Sequence, residues 1–108
     1  MYTEVLKFWF EETEPKMWWA VDAAFDEEIR QRFLALLLST TRGEQFPWRS
    51  SAEGRLAEII VLDQFSRNIY RGTPQAFAQD FTALVLAQEA VAAGAHKNLT
   101  PTQRSFLL

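Results

Sequence analysis

The chain has 108 residues, 48% of them apolar and 23% charged, with a net charge of −3 at neutral pH. That balance excludes a disordered segment and suits one domain, residues 1–108, large enough to bury a core of its own. Acidic and basic residues alternate, which leaves no nucleic-acid footprint, and without cysteine there is neither a disulfide framework nor thiol chemistry.

Helical period runs through every long segment, and no segment alternates over a strand length, so the predicted class is all-α. A first short helix is expected from about Thr3, its cap, to Glu11, with Val5, Leu6, Trp9 and Phe10 as its apolar stripe. This opening stretch has no basic region and no long apolar run. It therefore excludes a secretory signal and a membrane span, and the expected compartment is the cytoplasm. Pro15 then interrupts the chain. Asp22 is placed to cap a second helix over about Ala23 to Thr41, closed by Gly43, with Phe25, Ile29, Phe33, Leu36 and Leu37 on one face. Leu34 and Leu38 point elsewhere, which predicts a helix sandwiched between neighbours.

The loop GEQFPWRS holds Pro47 and Trp48 as anchors. Ser50 or Ser51 caps a third helix that runs to about Tyr70, with Glu53 in its first turn and Gly72 beyond its end. Thr73 and Pro74 fit the cap and first position of a fourth helix reaching Gly94. Phe77, Phe81, Leu84, Val85, Val91 and Ala92 are its expected inner face. Thr100 and Pro101 open a fifth helix of two turns, ending at Leu108. About four main helices plus a short C-terminal one, joined by short loops, predict antiparallel helix pairs.

The third helix carries the stretch LDQFSRNIYRG, residues 62–72. On a wheel of 100° per residue, Ile59, Leu62, Phe65 and Ile69 form one apolar arc. A second line begins with Leu56 and Ile60 and continues as Asp63, Arg67 and Arg71, flanked by Gln64 and Asn68. A face that begins buried thus turns charged without changing direction, as a groove with an apolar floor and a polar wall would. Asp63 and Arg67 stand at i and i+4 in the favourable order, which predicts a mostly buried ion pair. Such a pair fixes the arginine fork for a carboxylate or phosphate. Arg71 supplies a second cation and Tyr70 a ring with a donor, while Asp80 can reach back across the turn. The same spacing also serves a purely stabilising pair beside a helix end.

No metal constellation is expected, because Asp63, Asp80 and the lone His96 lack ligand spacing. No nucleophile elbow or phosphate loop suggests a cofactor. Trp9, Trp18, Trp19 and Trp48 read mainly as core, with one of the adjacent Trp18 and Trp19 partly exposed. His96 follows a helix-ending glycine and reads as a surface residue.

The segments VLKFWFEE, WWAVDAAFDEEIRQRF, FPWRSSAEGRLAEIIVLDQFSRNIYRGTPQAFAQD and LTPTQRSFLL together resemble the bacterial family domain of unknown function 924. The resemblance covers nearly the whole chain, and LDQFSRNIYRGTPQAFAQD is its most specific part. It implies a tetratricopeptide-like helical fold and no assigned activity. The chain departs from the family at Ser66, where proline is usual, and in length, so it resembles a C-terminally short member. Binding folds of this kind use a concave face, which makes a polar role for Asp63, Arg67, Asn68, Arg71 and Asp80 more plausible.

The expected function is a small helical binding module. Its groove along the third helix presents Asp63, Arg67, Asn68, Tyr70, Arg71 and Asp80 to an acidic group on a peptide or small metabolite. One alternative is a small enzyme with Asp63 as general base and the two arginines as clamps. Another is a purely structural protein. Either way, apolar residues left uncovered near PTQRSFLL predict a homodimer or larger homo-oligomer.

Overall fold

The computed structural model describes residues 1–107 and is all-α, with no strand among them. Five helices account for most of it. Helix α1, residues 2–12, is α-helical over Tyr2–Leu6 and continues as a π-helix over Lys7–Glu12. Helix α2 is Ala23–Thr41. Helix α3, residues 52–69, is α-helical over Ala52–Ile60, passes through a π-helical stretch at Val61–Phe65, and resumes as Ser66–Ile69. Helix α4 is Asp80–Ala92, and α5 is Pro101–Leu107. The expected end of the last helix, Leu108, lies outside the described residues.

Several punctuation signals act as their chemistry predicts. The Asp22 carboxylate accepts from the Phe25 amide at 2.9 Å, and the Ser51 hydroxyl from the Gly54 amide at 3.0 Å. Thr100 and Gln103 exchange side-chain-to-amide bonds in a capping box at the start of α5. Two signals act differently. Thr3 caps nothing, because α1 already starts at Tyr2. Thr73 turns its hydroxyl back onto the Tyr70 carbonyl at 2.7 Å, so Pro74–Phe77 forms only a 3₁₀ turn and α4 begins at Asp80.

Helix α3 is the axis of the molecule, with α1, α2, α4 and α5 all packed against it. Every residue from Leu56 to Leu62 is buried, as expected of a helix enclosed on several sides. The two π segments meet there. Phe8 and Trp9 in α1 lie 6.1 and 5.8 Å, ring to ring, from Phe65 at the end of the π stretch in α3. The buried Thr13 hydroxyl donates to the Phe8 carbonyl at 2.7 Å, supplying a partner where α1 ends. Against the expectation that this end stays uncovered, helix α5 buries Phe106 and Leu107, with Phe106 lodged against Trp9, Trp18 and Trp19 at 5.7, 4.9 and 5.8 Å. The described residues of PTQRSFLL therefore offer no apolar patch for self-association.

The loop before α3 is held tightly. Arg49 pairs in both forks with Glu58, at 2.8 Å each, and Glu58 is only 1% exposed. A side-chain carbon at Gly54 would stand 2.0 Å from the Trp48 carbonyl oxygen, so only glycine lets the loop backbone come this close. Trp48 anchors the loop in the core, whereas Pro47 is exposed.

Burial corrects several expectations. In α2 the face of Phe25, Ile29, Phe33 and Leu37 is covered, while of the second face Leu34 packs half-buried against the core and Leu38 is exposed, so the helix is enclosed only in part. In α4 the expected inner face lies outside. Phe77, Phe81 and Leu84 are 59, 76 and 53% exposed, and Val85, Val91 and Ala92 are exposed too. Ala83 and Ala90 pack inward instead, because small side chains let α4 approach α3 closely. Trp9 and Trp48 are core; Trp19 of the adjacent pair is 74% exposed. His96 is half-buried rather than superficial, with its Nδ1 atom out of contact with water and without a partner. No helix among the described residues is long and apolar enough to cross a membrane.

Candidate functional site

The π stretch in α3 shapes the polar wall. A π-helix closes on i→i+5 bonds and therefore turns less per residue than an α-helix. Asp63 and Gln64, adjacent in sequence, can then share one side of the helix, and Gln64 Nε2 donates to Asp63 Oδ2 at 2.8 Å. Neighbouring residues on a regular α-helix do not face each other in this way.

Arg67 stands between two carboxylates. Its Nη2 atom lies 3.1 Å from Asp63 Oδ1 and 3.4 Å from Asp80 Oδ1, and its guanidinium covers the Phe77 ring at 5.3 Å. The expected i, i+4 pair is therefore formed, but it is not mostly buried. The Asp63 side chain is 24% exposed and that of Arg67 46%. Burial pushes the Asp63 carboxyl above its ordinary pKa. Arg67 opposes that shift, the Asp80 charge adds to it, and the Gln64 hydrogen bond works against it.

Arg71 belongs to a second assembly. Its Nε donates to Asp26 Oδ2 at 2.7 Å and its Nη2 to Asp26 Oδ1 at 3.1 Å, in a bidentate pair with the first turn of α2. Asn68, itself buried, donates from Nδ2 to the same Asp26 Oδ1 at 2.8 Å. The Arg71 pKa is raised by its hydrogen bond to Asp26. Asp26 is the partner that sequence reasoning missed. In FDEE it looks like an ordinary acid in a helix first turn, and its partners lie 42 and 45 residues away. Arg30, one turn further along α2, donates to the Ile69 carbonyl at the end of α3.

Three open clefts flank this wall; the one behind Arg71, of about 200 Å³, is lined by Asp26, Glu27, Arg30, Asn68 and Arg71, and the other two run along α3. One, of about 210 Å³, is lined by Trp18, Trp19, Gln64, Arg67, Asn68 and Arg71. The other, of about 310 Å³, is lined chiefly by Trp19, Asp63, Gln64, Asp80, Leu84 and Phe106. Trp19 and Gln64 belong to both. Beyond the second, Leu84, Ala87 and Leu107 carry the trough on to an apolar end at Val91. The structure thus brings Asp63, Arg67, Asn68, Arg71 and Asp80 to one trough. Tyr70 is different: it lies half-buried against the core and lines neither cleft. Among the described residues, no three histidine, aspartate or glutamate side chains converge as metal ligands.

A profile described as a bacterial protein of unknown function, DUF924, matches residues 5–108. Among solved structures, the chain is similar to a protein of unknown function from Agrobacterium tumefaciens, at 34% identity and a TM-score of 0.93. The match covers 98% of this chain and 60% of that one, so the chain spans less than two thirds of that relative's length. Among curated proteins, none matches.

Proposed function

The chain belongs to this bacterial family of unknown function, and from that premise we propose that it is a binding module whose trough along α3 holds an anionic group of a peptide or small molecule. The observation that carries the reading is the state of the two arginines in the smaller cleft. Arg71 commits Nε and Nη2 to Asp26, and Arg67 commits Nη2 to Asp63 and Asp80. Arg71 Nη1, and Arg67 Nε and Nη1, make no protein hydrogen bond among the described residues. Each guanidinium is oriented by aspartate on one edge and has donors left over, as a carboxylate or phosphate site requires. Trp18 and Trp19 add an apolar wall. A tetratricopeptide-like arrangement, with a concave face that takes an extended segment, favours a peptide by analogy. A cysteine-free chain suits the cytoplasm. An enzyme using Asp63 as general base would need a cleft closed to water, and both clefts are open.

Inorganic phosphate, or a short peptide with an acidic side chain, should raise the melting temperature, by about 5 °C at roughly tenfold excess over Kd. Arg71→Ala should remove that rise while circular dichroism stays helical. An equal rise in both proteins would reduce the effect to bulk salt and discard the site.

A second role rests on a different observation. Phe81, Leu84, Val85 and Val91 form an exposed apolar face on α4, at the spacing of one helix side. A patch of this kind suits self-association about a two-fold axis. Light scattering at micromolar concentration should give a dimer or larger mass, and Phe81→Lys, at a residue that lines neither cleft, should return it to the monomer. A monomeric wild type would remove this role.

A further inference from the structure

The two clefts carry opposite charge and share a wall. Among the described residues, the lining of the smaller cleft includes Arg67 and Arg71 and no acid. That of the larger includes Asp63 and Asp80 and no lysine, arginine or histidine. Asp26, the acid that balances Arg71, faces neither. Gln64 and Trp19 form the partition, and a ligand that passes them meets a cationic wall on one side and an anionic wall on the other.

We infer that the ligand of this trough is dipolar: it places a carboxylate or phosphate beside Arg67 and Arg71 and an ammonium group beside Asp63 and Asp80, with a short apolar body lying along Trp19. The inference rests on the binding role proposed above and names the chemistry of the ligand. Three physical points support it. First, Arg67 alone faces both Asp63 and Asp80, so that cluster keeps one negative charge that no neighbouring cation balances. An incoming ammonium supplies it. Second, a purely anionic ligand long enough to enter both clefts would meet two carboxylates, and like charges in a half-buried site repel strongly. Third, the partition suits an apolar connector. Trp19 is largely exposed yet held flat by stacking on Phe106, with the ring planes 6° apart. The amide of Gln64 keeps an oxygen that makes no protein hydrogen bond among the described residues. The clefts together fall within the ~300–1,000 Å³ span of small-molecule sites.

The test uses unbranched ω-amino acids of increasing chain length, each compared with the fatty acid and the alkylammonium ion of the same length. Melting temperature is read for the wild type and for Asp80→Asn. The expected result is a larger rise with the ω-amino acid than with its two singly charged analogues combined. That rise should peak at one chain length, because both ends engage at once only when the linker spans the partition. Asp80→Asn should erase the advantage over the fatty acid and keep the fatty acid's own small rise. If the fatty acid matches the ω-amino acid at every length, the dipolar ligand is wrong and the anion site stands. If no anion acts, both readings fall. An acetylated peptide ending in lysine carries the same two charges. A rise with its free carboxylate form and none with its amide would support the inference, with a peptide end as the source.

Discussion

Helix α3 carries an arginine–carboxylate assembly near each end, and the two are built to opposite purposes. At the start, Arg49 grips Glu58 through two bonds of 2.8 Å, and the carboxylate is sealed in the core. Towards the end, Arg67 is divided between Asp63 and Asp80 at 3.1 to 3.5 Å, half in water, with donors unspent. The same chemical pair has its carboxylate 1% exposed in one place and 24% exposed in the other. A carboxylate buried under both edges of its arginine fixes the chain, whereas a pair half in water holds little stability and keeps capacity for recognition.

The contrast breaks first at Arg49. Arg49→Ala leaves Glu58 buried without its partner, and removing one member of such a pair costs about 3 kcal/mol. Urea titration should show that loss, and the melting temperature should fall by more than about 10 °C. Next is Gly54→Ala. In an open helix this change would gain about 1 kcal/mol of helix propensity. Here the added carbon meets the Trp48 carbonyl, so a net loss of about 2 kcal/mol is expected. A stabilised variant would show that the loop can move aside and that the fixed end of α3 is looser than drawn. Arg67→Ala, at the open end, should cost no more than about 1 kcal/mol in the same titration, while phosphate no longer raises the melting temperature.

The smallest effect concerns Asp63. Burial raises its pKa in the folded chain, so the native state holds that proton more tightly than the unfolded chain does. The resulting stability is complete below the ordinary carboxylate range and is lost as pH rises through the folded value. Asp63→Asn has no proton to lose. It should equal the wild type at acid pH and exceed it at neutral pH, by less than about 1 kcal/mol. Denaturation curves at the two pH values check the sign, and a variant less stable at neutral pH would mean that Arg67 outweighs burial.

Legibility in the sequence followed distance along the chain. Asp22, Ser51 and Thr100 cap helices within three residues of themselves, and Gly43, Gly72 and Gly94 each take a positive φ just beyond a helix end. The pair of Asp63 and Arg67 is one turn apart, so its spacing alone predicts contact. The Asp26 assembly left no such signal, because Asn68 and Arg71 reach it from the far end of another helix. Glu58 was equally hidden. Nothing local separates it from a solvated acid until the 46–50 loop folds over it.

The sequence by itself determined the all-α class, four of the five helices to within a few residues and one of the ion pairs, because these depend on interactions over one or two turns; the start of α4 was misplaced by six residues. Tertiary structure alone decided which face of each helix is covered. A helical wheel ranks the faces of α4 by apolar content and favours Phe81, Leu84 and Val85. Packing chose Ala83 and Ala90, whose small size brings the helix axes together. Tertiary structure likewise set Trp19 between a cationic and an anionic cleft. Each of those features is a relation between segments far apart in the chain, and no local period encodes it.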